Sequence, residues 1–236
     1  MSRLPALPRA LFLALAGLLF LAPAASVAAQ GVVEEEGVAY DRVARFPDIL
    51  HADVDRFWAE QFDLAGRAYA PPAGVVAIEG PLVTGCGRAD PATAAAFYCV
   101  LDETIYYAAD FRAALETIGD FGWIVVVAHE WAHHVQFQLG IDLGPMVGQN
   151  RQVGDLAPIQ LEQQADCLAG AYSLDAEGNG WLDESDVPEA IEVTMLAGDP
   201  IGTPFNDPFA HGTGADRVAS FNDGYEGGIE ACGLEL

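Results

Sequence analysis

The sequence predicts an α+β fold, a mostly helical body with a small β-sheet beside one strongly apolar helix. Three observations carry this. Of 236 residues, 52% are apolar and 10% aromatic, enough for one domain with a real core. Several long segments repeat apolar residues at helical spacing. Two short runs, 74–79 and 104–107, read as strands.

The elements follow in order. From Phe46 to Ala65 the residues Leu50, Val54, Phe57, Trp58 and Phe62 mark one face of a helix, stopped by Gly66 and Pro71-Pro72. Gly74 to Glu79 reads as a strand, Cys86 to Cys99 as a loop, and Thr104 to Tyr107 as a second strand. Ala108 to Thr117 looks helical, and Trp123 to Leu139 is the strongly apolar helix. A polar stretch to Leu156 leads to a helix over Ile159–Tyr172. A turn-rich segment, 175–186, precedes a helix over Val187–Ala197. A last helix starts near Asp216. No internal repeat or interdomain linker stands out. The expected organisation is a signal over 1–29, a lead-in over 30–45 and one domain over 46–236.

The N-terminus reads as a secretory signal. Arg3 and Arg9 precede an apolar run from Ala10 to Ala22, and small residues predict cleavage after Ala28 or Ala29. The run is short for a membrane span. An uncleaved N-terminal anchor is the alternative. The expected location is secreted or extracytoplasmic, with no stable membrane insertion beyond that segment. Residues 1–29 hold two arginines and no acid, so the remainder carries 8 arginines against 35 acids, a net charge of −27. Such a surface repels nucleic acid and anionic membranes. In an exported chain four cysteines suggest two disulfides. Cys86–Cys99 would close a short loop, and Cys167–Cys232 would tie back the C-terminus.

His129-Glu130-Trp131-Ala132-His133 is an H-E-x-x-H motif. Residues four apart share a helix face, so both imidazoles can reach one ion about 2.0–2.1 Å from each ring nitrogen. Glu130 lies one helical step away, beside the metal, where a general base takes a proton from water. A catalytic zinc needs a third protein ligand, and Glu162 is the candidate. Asp166 shares its face and can accept a hydrogen bond from a ligand imidazole.

These residues resemble a known family. Ala96-Phe97-Tyr98-Cys99 with Ile105-Tyr106, the segment His129 to Gln136, Glu162-Gln163-Gln164-Ala165-Asp166-Cys167, then His211-Gly212 and Asp216-Arg217 are similar to the neutral zinc metallopeptidases of bacteria. Order and spacing agree over about residues 40–234. The resemblance implies a zincin-like core shared with the gluzincins. It also implies zinc on His129, His133 and Glu162, Glu130 as catalytic base, and a peptide or protein substrate. The chain departs at Val100 (usually Pro), Ala132 (usually Gly) and Gln163 (often Leu). These departures leave the ligands and the base in place and bear on substrate preference.

His211 has two readings, a donor to the oxyanion of a tetrahedral intermediate or a loop histidine capping the next helix. Residues 175–186 resemble an EF-hand loop that would offer Asp175, Glu177, Asn179, Asp183 and Asp186 to calcium. A polar turn is the alternative. Two other functions compete with the peptidase: a catalytically silent zinc-binding scaffold and a calcium-organised extracellular binding protein.

Overall fold

A computed structural model of the chain describes residues 47–143, 156–205, 207 and 209–236. The expected signal and lead-in lie outside the described residues. The architecture is α+β, as expected, and consistent with a zincin-like fold. Among the described residues no helix is long and apolar enough to cross a membrane.

Helix α1 spans Pro47–Leu64 and buries Val54, Phe57, Trp58 and Phe62, the stripe that the spacing predicts. Strand β1 (Gly74–Ile78) pairs in parallel with β5 (Thr104–Ala108). Between them lie a small hairpin, β2 (Leu82–Thr84) with β3 (Gly87–Ala89), and strand β4 (Ala96–Cys99). β4 runs antiparallel to β5, giving the sheet order β1-β5-β4. The expected loop from Cys86 to Cys99 thus holds two strands. Both are too short to show alternation, and pairing with β5 makes β4 a strand. The Cys86–Cys99 disulfide closes this segment.

A short helix, α2 (Ala109–Leu115), leads to α3 (Asp120–Gln138). Every residue of α3 from Phe121 to Gln136 is buried except Val126, the signature of a helix threaded through a core. It starts three residues before the expected Trp123. The carboxylate of Glu189, 68 residues on, accepts the Phe121 N–H at 3.2 Å, and such a tertiary cap leaves no local signal.

Helix α4 (Pro158–Gly178) packs on α3. Pro158 sets its first turn, and the Gln160 side chain accepts the Ala157 N–H at 2.9 Å. Helices α5 (Asp186–Leu196) and α6 (Gly214–Gly227) follow, then a 3-10 turn over Ile229–Cys232. Helices α4 and α6 form the most extensive contact, made possible by two glycines. A Cβ on Gly170 would lie 2.0 Å from the Phe221 carbonyl oxygen, and one on Gly224 would lie 1.8 Å from that of Cys167. The Cys167–Cys232 disulfide pins the C-terminus to α4.

The EF-hand expectation finds no support in the structure. Helix α4 runs six residues past the expected end at Tyr172, so Asp175 and Glu177 are helical. Asp175 is committed to Arg56 of α1 at 2.6 Å and to Asn179 at 2.9 Å. Asp183 accepts from Ser185, and Asp186 accepts the Asp183 N–H at 2.6 Å. Among the described residues the carboxylates of Asp175, Glu177, Asp183 and Asp186 form no metal-sized group with one another, and 175–186 is a helix end followed by a turn.

Candidate metal centre

The central helix α3 presents His129 and His133 one turn apart, with ring centroids 4.7 Å apart. The two Nε2 atoms are 3.1 Å from each other. From α4, Glu162 brings Oε2 to 3.1 Å from His129 Nε2 and Oε1 to 3.6 Å from His133 Nε2. All three side chains are buried, and their ligand atoms fall within 4.8 Å of one another. The expected triad is therefore assembled.

The far side of each ring explains why these atoms suit a cation. His129 Nδ1 is 2.9 Å from Asp166 Oδ1, an ionic contact whose angle falls short of an aligned hydrogen bond. His133 Nδ1 meets Gln136 Oε1 at 2.8 Å. With acceptors at both Nδ1 atoms, the two Nε2 lone pairs and the Glu162 carboxylate turn toward one point. Three acceptors sharing a point in a buried site repel unless a positive charge lies between them. The residues present fit a metal ion of the kind that takes nitrogen and oxygen ligands.

The electrostatics agree. Burial disfavours charge on His129, but Asp166 and Glu162 outweigh it and raise the ring's pKa to about 10. For Glu162 burial again opposes ionisation, and the His133 and His129 rings overcome it, holding the carboxyl well below its ordinary range. The carboxylates of Asp166 and Glu162 thus favour positive charge at the His129 imidazole, from a proton or a metal.

Asp166 is itself buried and held by Arg217 of α6, which was assigned no role from sequence. Arg217 Nε and Nη2 donate to its two oxygens at 2.8 and 2.7 Å, and Nη1 donates to the Ala197 carbonyl at 2.9 Å. Thr213 caps α6, accepting the Asp216 N–H at 3.2 Å, and so starts the helix where Arg217 can reach inward.

Glu130 is buried beside the triad, at the wall of a cleft of about 800 Å³. Burial raises its pKa, the neighbouring imidazoles of His129 and His133 lower it in part, and the balance stays raised. The intervening Trp131 and Ala132 face the body, where Trp131 Nε1 donates to the Tyr69 hydroxyl at 2.8 Å. His134 points away from the triad, between the Tyr98 hydroxyl (3.0 Å) and the Ala70 carbonyl (2.9 Å).

His211 lines the same cleft with a half-exposed side chain. Asp199, unremarked in the sequence, brackets its loop. One Asp199 oxygen accepts the N–H groups of His211 and Gly212 at 2.7 and 2.9 Å, and the Asp199 N–H returns to the Gly212 carbonyl at 2.8 Å. His211 does not cap α6, because Thr213 does.

The cleft is walled on one side by β4, through Ala96, Phe97 and Tyr98. β5 is the central strand, and β4, the strand not recognised from sequence, is the edge that faces the cleft.

The family described as putative neutral zinc metallopeptidase matches residues 13–233. The chain belongs to that family. Uncharacterized protein YpfJ of Escherichia coli K12 is 34% identical over 206 residues, covering 81% of this chain and 70% of that protein. Uncharacterized protein Rv2575 of Mycobacterium tuberculosis is 34% identical over 170 residues, covering 63% of this chain and 57% of its own length. No solved structure matches the chain. Zinc is the metal that the family's name implies, and the paired imidazoles with one carboxylate suit it.

Proposed function

We propose that the chain is a secreted zinc-dependent endopeptidase, with the metal held by His129, His133 and Glu162 and with Glu130 as general base. The single observation that carries this reading is the convergence of three buried ligands with a further buried carboxylate, Glu130, beside them in an open cleft. A silent scaffold has no need of that additional carboxylate. Zinc bound here supplies Lewis acidity, which polarises the scissile carbonyl and acidifies a water. Glu130 takes the proton from the attacking water and later delivers it to the leaving nitrogen. Its raised pKa makes it a better proton acceptor. His211, held by Asp199 at the cleft wall, donates to the developing oxyanion.

The substrate is an extended peptide added to the free edge of β4. Phe97, Phe111, Leu115, Val125, Val193 and Leu196 line the cleft and favour apolar side chains. Export is supported by the reading of residues 1–29 and by the pairing of all four cysteines. The test is metal stoichiometry with hydrolysis. The purified protein is expected to hold about one zinc, lose casein hydrolysis on chelation, and regain it with stoichiometric zinc. Wild type that binds no zinc would refute the metal assignment.

A further inference from the structure

The two histidines of the metal centre are backed by different partners. His129 leans on a carboxylate, His133 on an amide, and the amide continues outward. Gln136 lies three residues after His133 on α3, is fully buried, and sets its Oε1 2.8 Å from His133 Nδ1. Its Nε2 donates to the Leu161 carbonyl at 2.9 Å and to Gln164 Oε1 at 3.0 Å. Gln164 Nε2 then donates to the carbonyls of Cys232 and Gly233 at 3.1 and 3.4 Å.

The polarity of this chain is set from its outer end. Backbone carbonyls only accept, so the Gln164 amide must turn its NH₂ group toward Cys232 and Gly233 and its oxygen inward. That oxygen, with the Leu161 carbonyl, requires the NH₂ group of Gln136. The Gln136 oxygen is left facing the ring, so Nδ1 of His133 must carry the proton. Nε2 then presents a lone pair to the metal. An isolated imidazole has no such preference strong enough to rely on, and a flipped amide would offer NH₂ to Nδ1 and reverse the tautomer. The outer carbonyls belong to the segment that the Cys167–Cys232 disulfide fixes to α4.

We propose that Gln136 is a positioning residue that fixes the metal-binding tautomer of His133, and that the Cys167–Cys232 disulfide anchors the relay through Gln164. The metal part of this rests on the zinc reading above, whereas the tautomer part can be measured without metal. A second partner of a ligand histidine typically changes metal affinity about 10–100-fold.

The experiment uses the full chain in five forms: wild type, Gln136→Leu, Gln164→Leu, the Cys167→Ser/Cys232→Ser pair, and Gln164→Leu combined with that pair. Nitrogen-15 shifts of the His133 ring in the metal-free protein report the tautomer. Zinc affinity is read by competition with a chromophoric chelator, and melting of the metal-free protein controls for folding. Wild type is expected to hold the proton on Nδ1. Gln136→Leu is expected to give mixed tautomers and zinc binding weakened by at least about 10-fold. Gln164→Leu, at the partly exposed end of the relay, is expected to give a smaller loss in a folded protein. Combining Gln164→Leu with the cysteine pair is expected to weaken zinc no more than the larger single change. Unchanged tautomer in both glutamine variants would overturn the proposal. Fully additive losses of zinc affinity would overturn its disulfide part. Failure of the wild type to bind zinc, with the tautomer result intact, would refute the zinc reading and not the relay.

Discussion

Arg217 reaches both carboxylate oxygens of Asp166, at 2.8 and 2.7 Å, with both residues about 95% buried. Asp166 is the carboxylate behind His129, so helix α6 is joined to the metal centre through one ion pair. Removing one partner of a buried pair leaves an uncompensated charge, at a cost of about 3–5 kcal/mol. Arg217→Leu is expected to lower stability by that order in chemical denaturation. Arg217→Leu with Asp166→Asn is expected to be less damaged than the sum of the two single variants, since the pair acts as a unit.

Gly170 and Gly224 set the closest approach of α4 and α6. Alanine at either position would press a methyl group onto a helix carbonyl that has no freedom to move aside. Either substitution is expected to destabilise by about 2–3 kcal/mol, the range of overpacked cores. Gly66→Ala, where nothing lies within 4 Å but φ is +68°, is the contrasting control for backbone strain alone. A smaller effect at Gly170 than at Gly66 would contradict the packing argument.

The two disulfides differ in the loop they close. Cys167–Cys232 spans 65 residues and Cys86–Cys99 spans 13. Chain entropy assigns about 4 kcal/mol to the first and about 3 kcal/mol to the second. Serine pairs at each are expected to lower the melting temperature, with the larger drop for Cys167–Cys232.

Asp186 makes stability fall as pH rises. Burial pushes its pKa from 3.8 up to about 7, with Asp183, Asp120 and Glu189 adding to the rise. Between those values the folded protein keeps a proton that the unfolded chain has released. Stability from this group is therefore present at low pH and lost as pH climbs through the window. Asp186→Asn keeps an oxygen for the Asp183 N–H and removes the titration. Relative to wild type, the variant is expected to gain stability steadily from about pH 4 to about pH 7. A difference that stays flat with pH would refute this assignment.

Much of the site was legible because it obeys local spacing. His129 and His133 are four apart on one helix, and Glu162 with Asp166 repeats that spacing on the next. The long helices were legible from their apolar stripes. Strand β4 was not, because four residues show no period and only pairing with β5 defines them. The end of α4 was misread because Asp175-Ala176-Glu177-Gly178 has turn composition, yet Asp175 finds Arg56 across the fold. Arg217 and Gln164 lie in the family-like segments, but their roles are not legible there. Their partners Asp166 and Cys232 lie 51 and 68 residues away, a separation no periodicity encodes. Gln136, three residues after His133, was within reach of the helical rule.

Glu130 is proposed to transfer a proton beside a metal it does not bind. The most direct measurement is zinc content and casein hydrolysis on wild type and Glu130→Gln together. About one zinc per chain is expected in both, with hydrolysis reduced at least about 100-fold in the variant. Equal hydrolysis by the two proteins, with zinc retained in each, would contradict it.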